Sequence, residues 1–513
     1  MRHFLIYTLA LFTFVSCKYS DDKNTERSSV QDATSYTLEQ YRPRFHFTPK
    51  AHWMNDPNGL VYSHGTYHLF YQYYPDSTVW GPMHWGHAVS KDMLHWKPRP
   101  IALKPDSLGY IFSGSAVIDK QNTSGFGANA MIAIFTYHDP VKEKQGAIDT
   151  QTQGIAYSLD KGETWTKYKH NPVIKNPGIT DFRDPKVFWN DETNSWQMAL
   201  VAKDHVEFYE SANLKDWKKL SDFRFPDDPP LGVWECPDLF KMRVGDTDEE
   251  KWVLIVSHGG NSAPNGGSGT RYFVGDYNGK TFTTDQKQSQ WIDYGTDNYA
   301  GVTYNNVPNN ERLFIGWMSN WEYAQTTPTT TWRSAMTLPR SLSLIKSNNR
   351  YILKSQLLDT FKSIIKPVEE GSISGHLPYD FTYEKLQESF ISFHAEIKDS
   401  LQIQFSNSKG EHYTISYHKD SGVLSADRSQ SGLVDFNPNY KNFSFQTIPV
   451  GVRDSLSFKI VLDASSIELF INDGVYALTN QIFPTEPYTA FQINSDVTIS
   501  NFEIKQVENV FDL

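Results

Sequence analysis

Trp53-Met54-Asn55-Asp56-Pro57-Asn58-Gly59 leads directly into Leu60-Val61-Tyr62, so a carboxylate walled by an aromatic ring stands at a turn that opens a strand-length apolar run. Pro57 fixes its own φ and pushes Asp56 toward an extended conformation, while Asn58-Gly59 can take the positive φ of a tight reversal. A hairpin turn with an incidental acid reads the same way. Two further proline-stiffened acids tip the balance toward a built site: Phe182-Arg183-Asp184-Pro185 and Trp234-Glu235-Cys236-Pro237-Asp238. Outward from the first stretch the texture repeats. Tyr67-His68-Leu69-Phe70-Tyr71, Met131-Ile132-Ala133-Ile134-Phe135, Gln197-Met198-Ala199-Leu200-Val201 and Trp252-Val253-Leu254-Ile255-Val256 are strand-length, β-branched and aromatic, with no sustained helical period. The chain reads as all-β.

A looser repeat overlies the strands. Ser90-Lys91-Asp92 to Trp96, Ser158-Leu159-Asp160-Lys161-Gly162 to Trp165, and Ser211 through Asp216-Trp217 each join a serine, an acidic turn and a closing tryptophan. Units of about 50 to 70 residues with several strands apiece predict a β-propeller with decorated blades, placed over residues 40–351. Over 352–374, Leu353, Leu357, Leu358, Phe361 and Ile365 fall near helical spacing and Pro367 stops the pattern, which predicts a linker with a short helix or an extended connection. Alternating runs such as Leu401-Gln402-Ile403-Gln404-Phe405 predict a two-sheet sandwich over 375–513.

The ordered set WMNDPNG, FRDP and WECPD resembles glycoside hydrolase family 32, the retaining β-fructosidases that include invertases, inulinases and levanases. Phe70-Tyr71-Gln72, Trp80-Gly81, Phe112-Ser113-Gly114-Ser115 and Gly316-Trp317-Met318 extend the match over about 45–345. Asp463-Ala464-Ser465-Ser466-Ile467-Glu468-Leu469-Phe470 and Asn472-Asp473-Gly474 carry a weaker one beyond it. The resemblance implies five blades followed by a C-terminal β-sandwich. It also implies Asp56 as nucleophile, Glu235 as acid/base and Asp184 as the acid that binds the fructose 3- and 4-hydroxyls, with Arg183 beside it. Asn55, Gln72, Trp80, Phe112, Ser113 and Trp317 match positions that line the fructose subsite. In a retaining enzyme of this kind the nucleophile and acid/base carboxyls face each other at about 5 to 6 Å. Like charges and aromatic burial would raise the pKa of Glu235, and hydrogen-bond donors around the turn would lower that of Asp56. Cys236 matches a thiol that tunes Glu235 and does not attack substrate.

Aromatics make up 14% of the 513 residues, which suits sugar faces stacked on exposed rings. A net charge of −11 with no basic cluster argues against a nucleic-acid partner. His84 and His87 bracket Trp85-Gly86, but their odd separation on a strand points them to opposite faces, and neither a metal nor a cofactor is expected.

Residues 1–17 read as a secretory signal: Arg2 and His3, an apolar run from Phe4 to Val15 too short for the roughly 20 residues of a span, then Ser16-Cys17. Cys17 favours the lipoprotein form, acylated at that cysteine. Only Cys236 then remains, so no intramolecular disulfide forms. Residues 18–39 are polar and read as a disordered tether. Ser20-Asp21-Asp22, close to Cys17, resembles the acidic signal that sends some Gram-negative lipoproteins to the cell surface. The expectation is a lipid-anchored outer-membrane protein at the surface, with the periplasmic face as alternative.

Three rival readings match parts of the sequence. Ser158-x-Asp160-x-Gly162-x-x-Trp165 fits the Asp-box of sialidase propellers, which however use a tyrosine nucleophile and an arginine cluster. An inverting five-bladed glycosidase would hold its carboxyls roughly 6.5 to 9.5 Å apart. A non-catalytic fructan-binding surface lipoprotein would not need three intact acid motifs. A cell-surface hydrolase gains most by shortening polymers too large to import, so the expected substrate is levan-type polymer, with inulin or sucrose as alternatives and internal cleavage open.

Overall fold

The computed structural model describes residues 39–226, 231–260, 263–373, 378–495 and 497–511, so the expected signal, Cys17 and nearly all of the tether lie outside the described residues. Among the described residues the regular structure is almost wholly β. Five antiparallel sheets follow one another along the chain. Their first strands are His52–Ser63, Tyr110–Asp119, Phe182–Asn190, Trp234–Arg243 and Tyr299–Thr303. Each first strand packs against the first strand of the next sheet, and the fifth returns to the first, which makes a ring around a central channel. Trp332–Arg333, after the fifth first strand, pairs in parallel with His52 and Trp53 and helps tie the ring shut. This is the five-bladed propeller.

The serine–acid–tryptophan repeat is one turn used three times, between the third and fourth strands of the first three blades. The Ser90, Ser158 and Ser211 hydroxyls bond Asp92, Asp160 and Asn213, whose side chains accept backbone N–H groups further along. The tryptophan indoles of the second and third copies donate to Gly162 O and Leu214 O. The Asp-box is therefore a turn lock shared by blades and not a mark of sialidase chemistry.

Two of the sequence expectations change. The stretch at Asp56 is not a reversal: His52–Ser63 is one strand, and its partner strand skips Asn55 and Asp56. Gly59 does take a positive φ of 59°, at a second irregularity in the same strand. The linker expected over 352–374 is also mostly sheet. Arg350–Leu357 pairs with Arg340–Ser347 as the outer strand of blade five, and Asp359–Ile364 is a 3-10 turn. Ile365–Ile373 then pairs with Val497–Val507 in the sandwich. A spacing of four satisfies a strand's period of two as well as a helix's 3.6, so Leu353 and Leu357 could not separate the two.

The sandwich stacks two six-stranded sheets over a core that includes Phe393, Ile403, Phe405, Phe458, Ile460 and Phe491. It is joined to the propeller by buried charge. Asp463 accepts from the backbone N–H of Arg44 at 2.7 Å and from His46 Nδ1 at 2.7 Å, while Glu468 takes His46 Nε2 at 2.9 Å and Arg340 Nη2 at 2.7 Å. Burial alone would discharge His46, but hydrogen bonds and attraction from the two acids win and raise its pKa to about 9. Asp463 and Glu468 belong to the C-terminal motif seen in the sequence, which is thus an interface device: removing one partner would strand a buried charge.

Candidate active site

Every first strand carries the same irregularity near its start. Two residues go unpaired: Asn55-Asp56, Phe112-Ser113, Asp184-Pro185, Cys236-Pro237 and Ala300-Gly301. A bulge bends the strand and re-aims its side chains, so five bulges in register turn five short segments toward one mouth of the channel. Asp184, Cys236 and Ala300 hold positive φ values of 66°, 45° and 52°. Such φ values in non-glycine residues persist where the surrounding structure enforces them, and they cluster at functional sites. Prolines 57, 185 and 237 stiffen three of the five.

Asp56 Oδ1 accepts from Asn55 Nδ2 at 3.0 Å and Oδ2 from Ser113 Oγ at 2.7 Å; Trp53 Nε1 in turn fixes Asn55 at 2.8 Å. Asp184 Oδ2 accepts the backbone N–H of Cys236 at 3.0 Å. The Cys236 thiol lies 3.6 Å from Asp56 Oδ2 and 3.7 Å from Asp184 Oδ2, so its hydrogen bonds go to these acids and not to Glu235. Burial and the three acids push this thiol's pKa well up, and it remains a donor. Arg183 clasps Glu235 Oε1 through Nε at 3.1 Å and Nη2 at 3.0 Å, and reaches Asp181 and Gln151 through Nη1. Tyr299 donates its hydroxyl to Glu235 Oε2. Both oxygens of each of Asp56 and Glu235 are thus held.

The subsite residues gather around this core. Phe112 precedes Ser113, and its ring meets exposed Trp80 edge-on at 6.1 Å. Gln72 stands opposite Trp85, whose indole donates to Phe112 O. Trp317, from the second strand of blade five, packs against Trp53 and Tyr299 with centroids 6.2 Å away in each case. Gln72 Nε2 and Trp317 Nε1 are buried with no hydrogen-bond partner among the described residues, the condition of donors that a ligand can satisfy.

The electrostatics depart from expectation at Asp56. Its donors act in the expected direction, but burial and the nearby Glu235 outweigh them and raise its pKa. Burial likewise raises Asp184, with Glu235 and Asp56 adding to it against the pull of Arg183, to about 7. An acid whose pKa is raised by folding costs stability as pH climbs from its unfolded value to its folded one. Asp184→Asn is therefore expected to raise the melting temperature most near pH 8 and clearly less near pH 5, where only the first part of that climb has been made. Melts of both proteins at the two pH values check this; an equal gain at both would contradict the assignment.

Sequence reasoning missed Tyr299, Gln151 and Asp181. Tyr299 sits in the fifth bulged strand, which has neither a carboxylate nor a proline and so gave no signal. The fivefold repeat was the clue, since Tyr299 stands directly before its bulge as Glu235 does before its own.

Residues 46–355 match the model for the glycosyl hydrolases family 32 N-terminal domain, and 361–506 the family 32 C-terminal model. The chain is similar to a levanase of Bacillus subtilis, 43% identical over 93% of this chain and 72% of that protein. It is also similar to a levanbiose-producing levanase of the same organism, 33% identical over 98% and 97% of the two chains. Among solved structures, the exo-inulinase from Aspergillus awamori superposes with a TM-score of 0.85, at 35% identity, over 93% of this chain and 99% of that one.

Proposed function

Because this chain belongs to glycosyl hydrolases family 32, we propose that its bulged carboxylates hydrolyse fructans by double displacement, with Asp56 as nucleophile and Glu235 as acid/base. The protein is a glycoside hydrolase acting on β-fructofuranosidic bonds. The observation behind the residue roles is that three acids from three blades share one mouth, Asp56 and Asp184 meeting at the Cys236 thiol and Glu235 held by the adjacent Arg183.

Asp56 attacks the anomeric carbon while Glu235 gives its proton to the leaving oxygen; Glu235 then takes a proton from the water that releases the fructosyl unit. Esterifying Asp56 removes a negative charge from a buried acidic cluster, which favours the covalent intermediate. Before that, the same cluster stabilises the positive charge developing on the sugar ring. Asp184, held by the Cys236 N–H, accepts the sugar hydroxyls. Arg183 and Tyr299 keep the Glu235 carboxyl in place between its two uses.

Levan-type polymer is the favoured substrate, with internal cleavage as part of the activity, and lipid-anchored display at the cell surface as the setting. The levanases among the relatives support the first; Cys17 and the acidic Ser20-Asp21-Asp22 support the second. A surface enzyme gains most by shortening polymers too large to import. The test pairs protease shaving of whole cells with the earliest products released from levan, inulin and sucrose. Oligosaccharides from levan and loss of the protein on shaving are expected. Protection from protease, with fructose as the sole early product, would overturn both.

A further inference from the structure

Within the blades, large apolar side chains are exposed at Val79, Trp80, Leu108, Val141, Ile148 and Leu159. Five of these six share one sector. Strand direction alternates within each blade, so the segments 75–83, 104–109 and 139–150 emerge where the first strands begin, at the mouth that holds Asp56, Asp184 and Glu235. The segments are contiguous: Ile111 N–H bonds Met83 O at 3.0 Å, and a Cβ on Gly109 would run into the His138 carbonyl. His138 stacks flat on Phe112 at 4.5 Å, and Phe112 meets Trp80.

The segment after His138 is ordered rather than loose. Asp139 caps the helix Pro140–Lys144, and Lys142 pairs with Asp149 at 2.7 Å across the loop. This frame holds Val141 at 62% exposure and Ile148 at 54%, both facing solvent. Exposed apolar groups gathered at a mouth mark a binding surface more often than scattered single ones do. The opposite sector is taken. Asn265 of blade four bonds Thr447 O at 3.0 Å, and Glu322 of blade five accepts from Asn439 at 2.8 Å, so the sandwich fills that side.

We propose that this shelf on blades one and two binds the leaving side of a polymeric fructan, the units beyond the bond being cut, through the carbon-bound faces of their rings. The inference rests on the β-fructosidase reading and assigns Val141, Ile148 and Leu108 a part in chain-length preference. A polymer gripped at Asp56 leaves the pocket through the sector that the sandwich does not fill.

The test compares wild type, the double variant Val141→Ser/Ile148→Ser and, separately, Leu108→Ser. Each is assayed on long-chain levan and on the shortest fructoside that wild type cleaves. The double variant is expected to lose about tenfold in kcat/KM on polymer, carried by KM, and to stay within about twofold on the short substrate. Leu108→Ser should show the same pattern more weakly. An equal fall on both substrates, or no fall on polymer, overturns the shelf while leaving the activity itself intact. A wild-type protein that cleaves no fructoside would instead refute the β-fructosidase reading, and the ligand of the shelf with it.

Discussion

Asp56→Ala lowers kcat on every fructan by about four orders of magnitude or more, with the fold preserved, if this acid forms the covalent bond to the sugar. The size of the effect follows from the position. Nothing else in the mouth can replace it as nucleophile: Asp184 is tied to the Cys236 N–H, Glu235 is clasped by Arg183 and Tyr299, and the Cys236 thiol is held protonated. The fold survives because Asp56 lies on a bulge outside the strand ladder, and its removal relieves the crowding of buried acids. Single-turnover kinetics with a cooperative melt check both halves. Wild-type turnover would remove Asp56 from the mechanism.

Glu235→Ala should cost a comparable factor in kcat on natural fructans, since both chemical steps need its proton. Its signature lies in how the loss is repaired. A β-fructofuranoside whose leaving group needs no proton can still esterify Asp56, and the stalled intermediate then waits for a base that is gone. Azide needs no deprotonation, so added azide should accelerate turnover and yield a fructosyl azide of retained configuration. Azide without effect, or an inverted product, would point to a different acid or to single displacement.

Much of this was legible in the chain. Proline one or two residues after the acids at 56, 184 and 235 marked the bulges that carry chemistry, and short aromatic strands with a serine–acid–tryptophan lock marked the blades. Periodicity alone did not give five blades; the family resemblance supplied that number. Other features depend on three-dimensional neighbours. The strand at Leu353 carried a spacing common to helix and sheet. Asp56 looked destined for a low pKa because donors around its own turn, such as Asn55, are visible locally, whereas the burial and the Glu235 charge that overrule them depend on other blades. Tyr299 had no local mark at all. The Asp463 and Glu468 motif was visible as a pattern, yet its work of holding His46 and Arg340 belongs to an interface that forms only on folding.

Double displacement at this site requires a fructosyl ester at Asp56. Glu235→Ala protein, mixed with a β-fructofuranoside bearing a good leaving group and quenched in acid, should yield on peptide mass spectrometry one hexosyl unit on the Trp53–Gly59 segment, fragmenting to Asp56, and none in Asp56→Ala/Glu235→Ala protein. A hexosyl unit on another residue, or none while product still accumulates, would contradict it.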